Sequence, residues 1–137
     1  MANTSYLKIT APNGIVYEGK VYIVTLKTPK GYIGLQPNRS PLFSSIEIGT
    51  LKIETSKSDT LTYYIGGGIV YADQHKINII TDDIIDVKKI DIERAKKDAA
   101  SLTEAIKSNK DTVDLALLET KLKKALFRVD TYNLFNK

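Results

Sequence analysis

Residues 77–106 read INIITDDIIDVKKIDIERAKKDAASLTEAI, and the hydrophobic period changes inside them. Ile77 and Ile79 share a face, the pattern of a half-buried strand whose side chains alternate residue by residue. From Ile92 onward the apolar positions step by three and four through Ala95, Ala99, Leu102 and Ile106, a single stripe on a helix of 3.6 residues per turn. The acidic link Asp82, Asp83 and Asp86 lies between the two patterns. The boundary predicts a strand-rich domain over 1–86 and a helical one over 87–137.

Upstream of the boundary the chain is punctuated. All 8 Gly and all 4 Pro fall within residues 1–68. Pro12-Asn13-Gly14, Pro29-Lys30-Gly31 and Asp73-Gln74-His75-Lys76 are turn candidates. Leu7 and Ile9 share a face, as do Leu61, Tyr63 and Ile65, while Val21, Tyr22, Ile23, Val24 and Leu26 read as one strand covered on both sides. About eight to ten short strands at this spacing predict an antiparallel β-sandwich. Gly66-Gly67-Gly68 is followed by strand-like Ile69, Val70 and Tyr71, not by the helix N-terminus a phosphate loop needs. A bulge or a close approach of two backbones is expected there.

Downstream, a second stripe runs through Leu115, Leu118, Leu122, Leu126 and Val129 after Ser108-Asn109-Lys110-Asp111. So short a connection predicts an antiparallel helical hairpin, making the chain α+β. Asp91, and Asp111 or Thr112, are the expected N-caps. Arg94 and Asp98 are spaced for an i,i+4 ion pair. At 100° per residue Leu117, Lys121, Lys124 and Arg128 group away from the stripe, and Phe127 also projects from it. That mixed face suits an acidic partner surface.

Charge follows the same division. Residues 1–86 carry 8 basic and 8 acidic side chains, and residues 87–137 carry 12 and 8, the whole net +4. With no Cys and a single His, His75, a disulfide framework, a thiol nucleophile and a multi-histidine metal cage are excluded. His75 reads as a surface turn residue. Asp82, Asp83 and Asp86 lack the regular spacing of a calcium loop and read as a solvated link, so no metal site is expected. No Ser, Thr or Lys has a base and an orienting acid placed with it, so no catalytic residue is expected. The longest uncharged stretch, Thr60 to Ala72, is 13 residues, short of the roughly 20 a spanning helix needs. The N-terminal Met-Ala-Asn-Thr-Ser-Tyr lacks the basic and apolar regions of a signal peptide, and a cytoplasmic location is expected. A nucleic-acid module using the basic second helix is the rival reading, weakened by the interspersed acids.

Thr28-Pro-Lys-Gly-Tyr-Ile-Gly-Leu-Gln-Pro-Asn-Arg-Ser-Pro-Leu42 resembles a signature of the epsilon subunit of F-type ATP synthases, with Gly31, Gly34, Pro37, Asn38, Pro41 and Leu42 matching. Ile48-Gly49-x-Leu51-x-Ile53, Ile65-Gly-Gly-Gly-Ile69 and Ile90-Asp91-Ile92-Glu93-Arg94-Ala95 resemble the following strand, glycine turn and helix start, in unbroken order.

The resemblance implies a β-sandwich followed by a helical hairpin, in a non-catalytic rotor subunit of a proton-translocating synthase. The implied partners are the gamma subunit, the c-ring and the alpha/beta catalytic hexamer. Membrane association would come only through them, on the cytoplasmic face. The hairpin would fold against the sandwich or extend and restrain ATP hydrolysis. Tyr32, Asn38, Arg39 and Ser40 would meet the c-ring; Tyr32 stands where many members carry an acid, and Arg39 where many carry His. Lys121, Lys124 and Arg128 would meet the acidic C-terminal region of the catalytic beta subunit. No cofactor is required, but some members bind regulatory ATP, and Ile90, Asp91, Arg94, Lys124 and Arg128 follow that pattern. Ser101 and Ile85 depart from it, standing where a basic and an acidic residue are usual.

Overall fold

The computed structural model describes residues 4–56, 58–108 and 112–135. It comprises two compact units, residues 1–86 and 87–137.

Among the described residues the first unit has eight strands: β1 Ser5–Ala11, β2 Gly14–Val21, β3 Ile23–Thr28, β4 Gly31–Leu35, β5 Leu42–Glu54, β6 Thr60–Ala72, β7 Lys76–Ile80 and β8 Ile84–Asp86. Their order is β2-β1-β7-β6-β5-β3-β4, with β8 pairing to β6. The three predicted turns join β1 to β2, β3 to β4 and β6 to β7. Every pairing is antiparallel except β1 with β7, which run parallel.

Strands β5 and β6, 13 residues each, explain how one ladder makes two layers. Residues 68–72 of β6 pair with 42–46 of β5 and 69–72 with β7, while residues 60–66 pair with 48–54 of β5 and 63–65 with β8. Inward side chains of both halves, among them Leu7, Ile9, Ile77 and Ile79 on one side and Val24, Leu26, Leu51 and Ile53 on the other, form a single core cluster. Each such fully buried side chain is worth roughly 1.5–3 kcal/mol of transfer free energy. The run Val21 to Leu26 is not one strand: the chain bends at Tyr22 between β2 and β3. Val21, Val24 and Leu26 all enter the common core, so the run looked doubly covered.

The register is the same on either side of Glu47 and Gly67, where pairing is interrupted. Gly67 and Gly68 have φ of 105° and 155°. A Cβ on Gly68 would collide with the Ile80 carbonyl oxygen and lie 3.1 Å from Thr81 Cβ. Thr81 Oγ1 donates to the Gly67 carbonyl at 2.6 Å, and the Gly66 amide to the Asp83 carbonyl at 2.8 Å. The glycines therefore mark the expected close approach of two backbones. Asp83 is also drawn in, since its carboxylate accepts from the buried Tyr64 hydroxyl at 3.0 Å.

The second unit opens with a 3-10 turn, Val87–Lys89, followed by α1 Ile92–Ser108 and α2 Thr112–Phe135. Asp91 caps α1 as expected, its Oδ1 accepting from the Arg94 amide at 3.1 Å. Asn109, Lys110 and Asp111, with the second proposed cap at Asp111 or the Thr112 side chain, lie outside the described residues. α1 and α2 pack on each other, and α2 also reaches the 3-10 turn ahead of α1, as an antiparallel return requires. On α2 the expected stripe needs correction: Leu126 is 47% exposed, whereas Ala125 is fully buried. The inward line runs through half-buried Leu115, Leu118, Leu122 and Val129 and buried Ala125, because a small residue can sit deep where a leucine would force the backbone outward.

Candidate functional site

Three surfaces are candidates, and two of them carry the site residues singled out above. The first is the β4–β5 loop. Asn38 adopts φ 60°, a left-handed conformation that Asn tolerates better than most residues. Its amide donates to the Gln74 carbonyl at 3.0 Å, and Arg39 Nη1 donates to the Asp73 carbonyl at 2.9 Å. Asp73 in turn organises the β6–β7 turn, its Oδ1 accepting the His75 and Lys76 amides at 2.8 Å each. Those two amides hold its carboxyl below the usual carboxylate range. Burial pushes the Arg39 guanidinium down from its ordinary value, an effect opposed by the Asp73 charge.

Asn38, Arg39 and the exposed Ser40 thus come together with the 73–76 turn. Tyr32 does not join them. It begins β4 while the loop follows the other end of that strand, about 13 Å of extended chain away. Its hydroxyl accepts from the Thr50 amide at 3.3 Å over Gly49, and Lys27 Nζ lies 6.0 Å from its ring centre. β4 is an edge strand, so Tyr32 and Arg39 mark the two ends of one open sheet edge.

The second surface was missed by the sequence reasoning. Ile69 pairs with Ile80, Ile80 with Thr10, and Thr10 with Ile15, a row crossing four strands on the face turned from the core. One row along, Phe43 pairs with Tyr71 and Tyr71 with Asn78. Phe43 is 75% exposed, and Ile15, Ile69, Tyr71 and Ile80 are all exposed. The available signal was that residues 69–72 and 77–80 hold apolar side chains in both parities.

The third surface is a groove of about 340 Å³ between α1 and α2, lined by Asp98, Ser101, Leu102, Lys121, Lys124 and Arg128. The three cations therefore lie on the flank of α2 beside α1, not on its far face; the displaced seam through Ala125 accounts for the rotation. Leu117 is exposed as expected, and Phe127 is half-buried. Ser101 shares the groove with Lys124 and Arg128, but Ile90, Asp91 and Arg94 are absent from its lining. Ile90 is buried, Asp91 serves the cap, and Arg94 is exposed. Among the described residues the expected Arg94–Asp98 pair is not formed; α1 instead carries an ion pair between Lys107 and Glu104 at 4.0 Å, highly exposed and worth little. Among the described residues no group of three or more His, Cys, Asp and Glu is placed to hold a metal ion.

Residues 4–87 match the family described as ATP synthase, Delta/Epsilon chain, beta-sandwich domain. The chain belongs to that family. Among epsilon-chain relatives, that of Mycoplasmopsis synoviae (strain 53) is 39% identical over 132 residues, covering 96% of each chain. That of Mycoplasmopsis pulmonis (strain UAB CTIP) is 43% identical over 126 residues, covering 90% of this chain and 89% of the relative. The epsilon fold extends to a chain of the Euglena gracilis mitochondrial ATP synthase OSCP/F1/c-ring structure, with TM-score 0.81 at 20% identity over 96% of this chain and 81% of that one. A chain of the Tetrahymena thermophila mitochondrial ATP synthase central stalk/c-ring structure matches with TM-score 0.65 at 14% identity, over 95% and 97%. As an epsilon chain this protein is a non-catalytic subunit of an ATP synthase, and the nucleic-acid reading gains no support. Among the described residues no helix is long and apolar enough to cross a membrane.

Proposed function

We propose that this epsilon chain is a rotor element that joins the gamma subunit to the c-ring and restrains ATP hydrolysis through its hairpin. The observation that carries the reading is the exposed apolar face built by Ile15, Ile69, Ile80, Phe43 and Tyr71. Contiguous exposed apolar side chains on a well-packed sheet mark an interaction surface, and aromatic groups such as Phe43 are typical anchors. Gamma is the partner assigned to this face. The ring contact runs along the β4 edge from Tyr32 to Asn38, Arg39 and Ser40. The chain sits peripherally on the cytoplasmic side of the membrane, held by these partners. The coupling ion is a property of the ring; one relative, from Propionigenium modestum, is named sodium ion specific.

The cationic groove supports an anionic occupant for the arm. In the folded arm that occupant is regulatory ATP, whose phosphates Lys124 and Arg128 receive, with Arg94 the remaining exposed candidate. In the released arm Lys121, Lys124 and Arg128 instead meet the acidic region of the catalytic beta subunit, within the alpha/beta hexamer.

The test is binding of the full chain to purified gamma. Ile69→Asp combined with Ile80→Asp replaces two outward apolar groups with charges that an interface must desolvate. Affinity falls by at least about 100-fold, near 3 kcal/mol. Lys52→Asp, at an exposed position on the other half of β5, leaves it within about threefold. Unchanged binding by the double variant would falsify the assignment of this face.

A further inference from the structure

The groove between α1 and α2 holds a hydroxyl among its cations. Ser101 is exposed on α1 and shares a space of about 340 Å³ with Lys121, Lys124 and Arg128 of α2. The hydroxyls of Thr103, Ser108 and Thr120 each donate to the backbone carbonyl four residues earlier, at 2.8, 2.9 and 3.1 Å. Ser101 Oγ makes no such bond among the described residues, so nothing in the hairpin ties it back.

Like charges gathered around one cleft repel one another unless an anion enters it. The lining sets one acid, Asp98, against three cations, a surplus of two positive charges. On α1 itself Lys97 and Asp98 lie one turn before Ser101, and Glu104 one turn after it is paired with Lys107. A phosphate ester on Ser101 supplies the missing anion, with about 1.5–2 negative charges and three acceptor oxygens at a fixed place in the cleft. Arg128 offers such oxygens a planar fork of donors, and the two lysines offer compact charges. α1 buries Ala95 alone among its described residues, so opening it locally to expose Ser101 costs little.

We propose that Ser101 is a phosphorylation site, modified by a protein kinase with ATP as donor, and that its phosphate seats against Lys121, Lys124 and Arg128 to hold the hairpin closed. In the transfer Ser101 Oγ bonds to the terminal phosphorus of ATP. The bond from that phosphorus to ADP breaks, its electron pair leaving on ADP, and the hydroxyl proton passes to a base of the kinase. The proposal rests on the anionic-occupant reading of this groove and adds an occupant attached to the chain. The phosphate takes the cations assigned above to ATP, so modification and regulatory ATP exclude each other.

The experiment installs phosphoserine at position 101 of the full chain and follows its phosphorus resonance against pH. A solvated phosphoserine loses its second proton near pH 6, to about that value. The three facing cations and Lys97 favour the dianion over the opposition of Asp98 and Glu104, and proton affinity falls about tenfold. Changing Lys121, Lys124 and Arg128 together to Gln restores it. The thermal midpoint of helical ellipticity rises on phosphorylation, and the rise disappears in the same triple variant. An unshifted phosphate, or a shift that survives in the triple variant, overturns the seating. Mass spectrometry of the chain isolated from its own cells finds phosphate on the peptide containing Ser101; its absence in both growing and starved cells overturns the modification. Calorimetric titration with ATP separates this proposal from the nucleotide reading. Phosphorylation weakens ATP binding at least about tenfold, and equal binding by the two forms overturns the mutual exclusion. If the unmodified chain binds no ATP, the nucleotide reading fails, while a shifted phosphate still supports the seating of Ser101.

Discussion

Replacing Gly68 by Ala tests the crossing of β6 over the end of β7. The new Cβ would run into the Ile80 carbonyl oxygen, which is backbone held by its own strand and unable to swing aside. Gly68 also has φ 155°, in a range L side chains rarely adopt. Strain and forced displacement are each worth about 1–3 kcal/mol. Stiffening the unfolded chain returns about 0.4–1 kcal/mol. The net loss is about 3 kcal/mol, a downward shift of about 2 M in urea midpoint for a typical slope near 1.5 kcal/mol/M. Gly49→Ala is the matched control. Its Cβ would meet the Tyr32 hydroxyl at 2.8 Å, the tip of a half-exposed ring that can move away. The forfeited Thr50 hydrogen bond, about 0.5–1.5 kcal/mol, is offset by the same unfolded-state gain, so stability changes by less than about 1 kcal/mol. Seven of the eight tyrosines lie in residues 1–86, so tyrosine fluorescence follows the sandwich while helical ellipticity follows the hairpin. An unchanged midpoint for Gly68→Ala, or an equal fall for Gly49→Ala, would refute the geometric account.

Two further outcomes are expected. Ala125→Leu overpacks the buried position on α2 and costs about 1–3 kcal/mol by helical ellipticity, while Leu126→Lys stays within about 0.5 kcal/mol; the reverse order would return the seam to Leu126. Asp73 has a depressed folded pKa, so its contribution is present above the unfolded value and is lost as pH falls through the lower folded one. The His75 and Lys76 amide resonances therefore titrate with a midpoint below 3.8, and Asp73→Asn abolishes that titration; a midpoint at or above 3.8 contradicts the hydrogen-bonding account.

The division near residue 86 was legible because two physical signals agree there: the apolar period changes, and Gly and Pro disappear beyond Gly68. Asp91 was legible as a cap because capping is local. The rest depended on distance or volume. Arg39 and Asp73 are 34 residues apart, and nothing local announces their bond. Tyr32 and Arg39 are close in sequence, yet a five-residue strand sends them to opposite ends of an edge. Ile69 and Ile80 were not legible as surface residues, because an apolar side chain does not declare which face it occupies. The α2 seam was misplaced because a wheel of bulky residues favours Leu126, while packing buries Ala125.

Strands β5 and β6 run uninterrupted as covalent chain through both layers, joined by twelve residue pairs. At about 3.3 Å per residue each has a contour of about 40 Å, comparable with a small protein's width. A load entering at the loop end is consequently carried along two tensile backbones, with no slip plane between separately closed sheets. Such a body resists torsion as a braced spar does, since deforming it means shearing a dozen rungs together.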